Sequence, residues 1–221
     1  MGRVTGTHPD TVLLDLDGTL VDSAPGILGS LRSAFDELGL PWPTESIGRQ
    51  VLGPPLYRSL PAIVGEEATA EVIPVYRRRY AETGLLASEP YPGIDALLRE
   101  LSAAGTRLAL ATSKAEVHAR AILEHRGWTN LFEVTCGDTL DAARPNKAAV
   151  VAEALHRLGE PGAAMMVGDR SHDVVGARAH GIGCVGAGWG YGQPGELAEA
   201  GAVTVVATPA ELGAALSLTG R

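Results

Sequence analysis

One apolar strand, isolated near the start of the chain, constrains the fold more than any other feature. Residues 11–15 (Thr11-Val-Leu-Leu-Asp15) form a short apolar run closed by the turn residues Asp17, Gly18 and Thr19. The next strand signal does not come until residue 107. From Tyr91-Pro92-Gly93 onward the pattern is regular. It predicts helix 94–104, strand 107–111, helix 115–126, strand 133–136, helix 146–158, strand 164–167, helix 172–180, strands 184–185 and 203–206, and a C-terminal helix. Such alternation predicts a parallel sheet with helices on both faces. The strand at 11–15 cannot bury both of its faces alone, so it must join that sheet.

The intervening segment reads differently. Ile27, Leu28, Leu31, Phe35 and Leu38 recur at helical spacing over 26–38, and Gly39 closes that helix. Over 41–87, six prolines punctuate short helical stretches with no convincing strand. The expected organisation is therefore an α/β core made of 1–24 and 88–221, interrupted by an all-helical unit at 25–87. Within that unit, the Arg77-Arg78-Arg79 run reads as the solvated face of a helix.

Composition removes several classes of function. A net charge of −8 argues against a non-specific grip on nucleic acid. No apolar run approaches a membrane span, and the polar stretch 1–10 lacks a signal-peptide core, which points to the cytoplasm. Cys136 and Cys184, each in an apolar stretch, read as small buried hydrophobes rather than a disulfide. Of 18 basic residues only Lys114 and Lys147 are lysines, which raises the question of whether a compact ammonium is required there.

Ligands of an open parallel sheet bind at the carboxyl ends of its strands. After the first strand come Asp15, Asp17, Gly18 and Thr19. After 107–111 come Thr112, Ser113 and Lys114. Beyond 133–136 a loop leads to Arg144 and Lys147. After 164–167 come Gly168, Asp169, Arg170 and Asp173. Several carboxylates gathered at one edge repel unless a hard cation sits among them, and oxygen ligands suit Mg²⁺. A carboxylate there can attack phosphorus, and a second, two residues on, can act as general acid and then base. Each piece taken singly has a plainer reading: Asp15-Leu16-Asp17 as a turn, Thr112 or Ser113 as a helix cap, Lys147 as a first-turn residue, Asp169 and Asp173 as caps. The conjunction of four strand ends, in chain order, is what carries the chemistry.

These residues resemble the haloacid dehalogenase superfamily of hydrolases. Asp15-Leu-Asp-Gly-Thr-Leu-Val-Asp-Ser23 matches its first motif, Ala111-Thr-Ser113 its second, Lys147 its third and Gly168-Asp-Arg-Ser-His-Asp173 its fourth. The segments Leu52-Gly-Pro-Pro-Leu56 and Gly188-Trp-Gly-Tyr-Gly192 are similar to those of a phosphoglycolate phosphatase-like or 5′-nucleotidase-like branch. The resemblance implies a Rossmann-like three-layer core with an inserted helical cap. It implies Asp15 as nucleophile and metal ligand, and Asp17 as acid/base with its carbonyl on Mg²⁺. Gly18, Thr112, Ser113 and Lys147 would hold the phosphoryl group, and Asp169 the metal, supported by Asp173. Many relatives place the third-motif lysine directly before a proline. Here Arg144 precedes Pro145, so Lys147 takes the role and Arg144 is the fallback.

Asp17 favours phosphate-ester hydrolysis over dehalogenation or phosphonate cleavage, since the enzymes of those reactions lack it. A sugar phosphomutase like β-phosphoglucomutase keeps both aspartates and is the alternative. A non-catalytic regulator would be expected to lose Asp15, Asp17 or Lys147. The expected partner is a small phosphate ester such as phosphoglycolate, a nucleotide or a sugar phosphate, with the chain a monomer or weak homodimer. His172 at a helix start reads as a surface residue, and His118, His125, His156 and His180 as structural or exposed. Trp189 reads either as lining the site or as packing. Arg49, Tyr57 and Arg58 are candidates to choose the substrate.

Overall fold

A computed structural model describes residues 9–43, 47–48, 51–53, 56–159 and 161–218. The polar stretch 1–8, Arg49, Pro54 and Pro55 lie outside the described residues. The strands are β1 (Thr11–Leu14), β2 (Val21–Asp22), β3 (Glu89–Pro90), β4 (Arg107–Ala115), β5 (Val134–Asp138), β6 (Ala164–Gly168), β7 (Gly183–Ala187) and β8 (Thr204–Val206). The helices are α1 (Ala24–Leu38), α2 (Leu56–Ser59), α3 (Pro61–Arg79), α4 (Ile94–Ala103), α5 (Glu116–His125), α6 (Lys147–Arg157), α7 (Ser171–Arg178), α8 (Glu196–Ala200) and α9 (Pro209–Leu218).

Six strands form one parallel sheet in the order β5-β4-β1-β6-β7-β8. The first strand is central, as its two-sided burial requires. Leu14 pairs with Leu110 of β4 on one side and Val167 of β6 on the other. The chain winds outward from β1 through β4 to β5, then crosses back to β6, β7 and β8. That reversal beside β1 is a topological switch point, where the loops above the sheet part and leave a crevice.

Strand alternation divides the core. Val12 and Leu14 face a cluster that includes Leu98, Ile122 and Leu212 from α4, α5 and α9. Leu13 faces the other way, onto Val150, Val174 and Leu197 from α6, α7 and α8. Both cysteines are free and buried in this second cluster, as expected. Burial pushes the Cys136 thiol up to about 11, so it packs rather than reacts.

A third apolar cluster gathers Leu31 and Phe35 of α1, Leu60, and Val72 of α3. α1 ends where Gly39 takes φ 66°, and Pro25 lies in its first turn. α3 changes direction at Gly65 and passes into a π-helical turn, Tyr80–Gly84. The sequence does not signal the two-stranded ribbon of β2 and β3, which pairs the segments entering and leaving this helical part. α8 is also unannounced, because five residues between Gly195 and Gly201 are too few to show a helical period. Among the described residues no helix is long and apolar enough to cross a membrane.

Candidate active site

Asp15 follows the last residue of β1 and is only 5% exposed. Its amide donates to Val167 O at 3.0 Å, which ties it to β6. Gly18 then turns the chain at φ 83°, and a Cβ there would overlap the Asp169 carboxylate. Thr19 donates its hydroxyl to Asp169 Oδ1 at 3.1 Å. Asp169 Oδ2 accepts the amide of Tyr191 at 2.7 Å. Asp15, Asp169 and Asp173 thus meet, each offering an oxygen within 4.8 Å of the others.

Lys147 is the first residue of α6, whose start is capped by Asn146 Oδ1 accepting from Ala149 N at 2.9 Å. It is nonetheless buried, and its ammonium reaches across the strand ends. Nζ stands 2.8 Å from both Asp15 Oδ1 and Asp173 Oδ1, and donates to Ala111 O at 3.0 Å. Gly176 makes room for it, since a Cβ at that position would come within 2.7 Å of Lys147 Cγ. Arg144 points elsewhere. It donates to Gly137 O at 2.7 Å and lies 3.5 Å from Glu116 and 3.6 Å from Glu153.

Burial raises the Asp15 pKa to about 6, against the opposing pull of Lys147. Burial, then the charges of Asp173 and Asp15, push Asp169 well above the usual carboxylate range. Burial also acts upward on Asp173, but Lys147, His172 and the Arg170 amide together outweigh it and hold that carboxyl low. One ammonium is therefore too little positive charge for three buried carboxylates. An all-oxygen cluster short of positive charge fits a hard divalent cation such as Mg²⁺.

Asp17 lies apart from this trio. Its Oδ2 pairs with Lys114 Nζ at 2.8 Å, while Oδ1 is buried with no hydrogen-bond partner among the described residues. Thr112 is buried beside it, its Oγ1 accepting from Lys114 N at 3.2 Å. Neither Thr112 nor Ser113 caps a helix. β4 continues past them through a bulge, and Ala115 holds the N-cap position of α5. Asp173 does serve as a cap, its Oδ2 accepting from Arg170 N at 3.0 Å, while its other oxygen meets Lys147.

A cavity of about 480 Å³ opens over Asp17, Ser113 and Lys114, between the strand ends and the helical segment. Tyr57, Tyr76 and Arg77 line its far wall. Arg78 and Arg79 pair with Glu37 on an exposed face, as expected of a solvated run, and Arg77, also exposed, borders the cavity, since successive helix residues point about 100° apart. His118 also lines the cavity. Its ring is 6.1 Å from Tyr80, a contact between distant segments that no local pattern signals. Arg58 stacks over Tyr57 at 5.6 Å. His172 is half-buried rather than a surface residue.

Trp189 packs. Its indole N–H donates to Thr19 O at 3.1 Å and its ring meets Tyr91, so it braces the turn after Asp17. Tyr191, within the stretch Gly188-Trp-Gly-Tyr-Gly192, takes a part that the sequence does not signal. Its hydroxyl accepts from Ser23 N at 2.7 Å and donates to Asp22 Oδ1 at 2.8 Å. One residue thereby fixes Asp169 and the start of α1 together.

The model of the family described as haloacid dehalogenase-like hydrolase matches residues 12–187, which include Asp15, Asp17, Thr112, Lys147, Asp169 and Asp173. The chain belongs to that family. It is 47% identical over 189 residues to a protein of Mycobacterium tuberculosis named Tyrosine-protein kinase PtkA, covering 85% of this chain and 65% of that one. It thus spans just under two thirds of that relative's length. It is 38% identical over 192 residues to a 5′-nucleotidase of Pseudomonas aeruginosa, covering 84% of this chain and 86% of that one. The structure of a haloacid dehalogenase-like hydrolase from Streptococcus pneumoniae superposes with a TM-score of 0.87 at 31% identity, over 96% of this chain and 99% of that one. The fold above is thus that of a haloacid dehalogenase-like hydrolase.

Proposed function

We propose that the chain is a Mg²⁺-dependent phosphatase of small phosphate monoesters, with Asp15 as nucleophile. The observation that carries this reading is the meeting of Asp15, Asp169, Asp173 and Lys147 at one buried point. Asp15 attacks phosphorus while the bond to the leaving oxygen breaks and Asp17 gives that oxygen its proton. The products are the free alcohol and an aspartyl-phosphate. Asp17, now a carboxylate, takes a proton from water as that water attacks phosphorus. The Asp15–phosphorus bond breaks and inorganic phosphate leaves. Lys147, Thr112, Ser113 and the backbone at Gly18 hold the phosphoryl oxygens.

Asp15, Asp169 and the Asp17 carbonyl would hold Mg²⁺, with Asp173 behind them. The bound ion neutralises charge on the phosphoryl group. Residues 25–87 act as a cap over the strand ends, and Tyr57 and Arg77 on its cavity wall help choose among phosphoglycolate, nucleotides and sugar phosphates. The name of the Pseudomonas aeruginosa relative supports a nucleotide. The test is hydrolysis of p-nitrophenyl phosphate with and without Mg²⁺, then of a panel of phosphorylated metabolites. Asp15→Asn should lose about a thousandfold or more in kcat with its thermal unfolding little changed. Residual turnover above about a hundredth of wild type would sink the assignment.

A second reading, transfer of the phosphoryl group to a tyrosine hydroxyl instead of water, is favoured by the 47% identity to the protein named Tyrosine-protein kinase PtkA. Labelled phosphate moving from ATP to a tyrosine peptide, with loss in Asp15→Asn, would establish it.

A further inference from the structure

Asp17 is held asymmetrically. Lys114 Nζ grips Oδ2 at 2.8 Å, and Oδ1 is left buried without a hydrogen-bond partner among the described residues. Lys114 is itself held from the other side. It donates to the Tyr80 hydroxyl at 2.8 Å, and Nζ lies 5.0 Å from the centre of that ring. Tyr80 is buried at the head of the π-helical turn, stacked on Tyr76 at 5.5 Å, within the helical segment. Lys114 belongs to the sheet, just past Ala111 on the irregular end of β4, where a bulge re-aims side chains. Three side chains from the first turn, the second strand end and the helical segment thus form one chain of contacts.

We propose that Lys114 is a positioning residue for Asp17, and that Tyr80 couples its position to the docking of the helical segment. A carboxylate free to rotate exchanges its two oxygens. Pinning Oδ2 stops that rotation, so that Oδ1 is held at one position for proton transfer to the leaving oxygen. The Tyr80–Lys114 bond exists only while the helical segment sits against the strand ends, so the acid/base group is aimed when the site is covered. Lys147 has no such connection: its partners are Asp15, Asp173 and a backbone carbonyl of the sheet. The two lysines therefore divide the work, one on the phosphoryl side and one on the leaving-group side. The proposal rests on Asp17 acting as acid/base.

The experiment compares kcat/KM for p-nitrophenyl phosphate, whose leaving group needs little protonation, with phenyl phosphate and an alkyl phosphate, which need it. Lys114→Met keeps the stem and removes the ammonium. It should lose about tenfold more on the alkyl ester than on p-nitrophenyl phosphate. Tyr80→Phe leaves the Lys114–Asp17 pair in place and should shift the same ratio about threefold, and it decides the question if Lys114→Met does not fold. Parallel losses on all esters in Lys114→Met would overturn the role of Lys114, and an unchanged ratio in Tyr80→Phe would overturn the coupling through Tyr80, each leaving the phosphatase reading intact. A wild-type enzyme inert to every ester would overturn the phosphatase reading itself.

Discussion

Lys147 and Asp173 meet with Nζ 2.8 Å from Oδ1, each from the first turn of its own helix and each fully enclosed. Two helix starts on one face of the sheet are thereby joined under Asp15. Removing one partner of such a buried pair leaves the other charge uncompensated, at a cost of about 3–5 kcal/mol.

Lys147→Ala should therefore lower both stability and rate, with kcat falling about a hundredfold or more. Arg144→Ala, whose partners are Gly137, Glu116 and Glu153, should change kcat less than about threefold. Steady-state kinetics on the two variants checks this, and the reverse order would move the phosphoryl-binding role to Arg144.

Tyr191→Phe isolates the tie between the last motif and the first helix. Ser23 is fully buried, and its amide donates to the Tyr191 hydroxyl. Without that oxygen the amide is orphaned, a loss of about 1–3 kcal/mol. Thermal unfolding should show the drop. A melting temperature equal to wild type would mean that another acceptor takes the amide.

Glu196 supplies a pH-dependent brace. Burial works upward on its carboxyl. The amides of Ser171 and Gln193 and the Arg170 side chain outweigh that and hold it down at about 2. A depressed carboxyl stabilises the fold fully above its ordinary value near 4.5, and that contribution fades as pH falls from there towards 2. Glu196→Gln should cost about 1–2 kcal/mol at pH 7, with the gap to wild type closing below pH 4.5. Denaturant unfolding at pH 7 and pH 3 measures it, and an equal gap at both would exclude the ionised brace.

Much of the site was legible in the chain. Asp15, Asp17, Thr112, Lys147 and Asp169 announce themselves because each follows, or faces from a helix start, an apolar strand-like run, and strand ends are where such sheets bind. The scarcity of lysine also marked Lys114, though without its partner. Tyr80 was not legible, nor were the contacts that His118, Arg77 and Tyr191 make. Their positions depend on contacts between segments far apart in the chain, and nothing in their neighbours' periodicity reports such contacts.

The sequence by itself determined the parallel sheet, the helical interruption and the residue types at each strand end, because apolar spacing and turn residues act locally. The tertiary structure alone decided that β1 lies between β4 and β6, that Lys147 rather than Arg144 reaches Asp15, and that Lys114 joins Asp17 to Tyr80. Those choices belong to side chains that find their partners only once the sheet order has brought distant strand ends together.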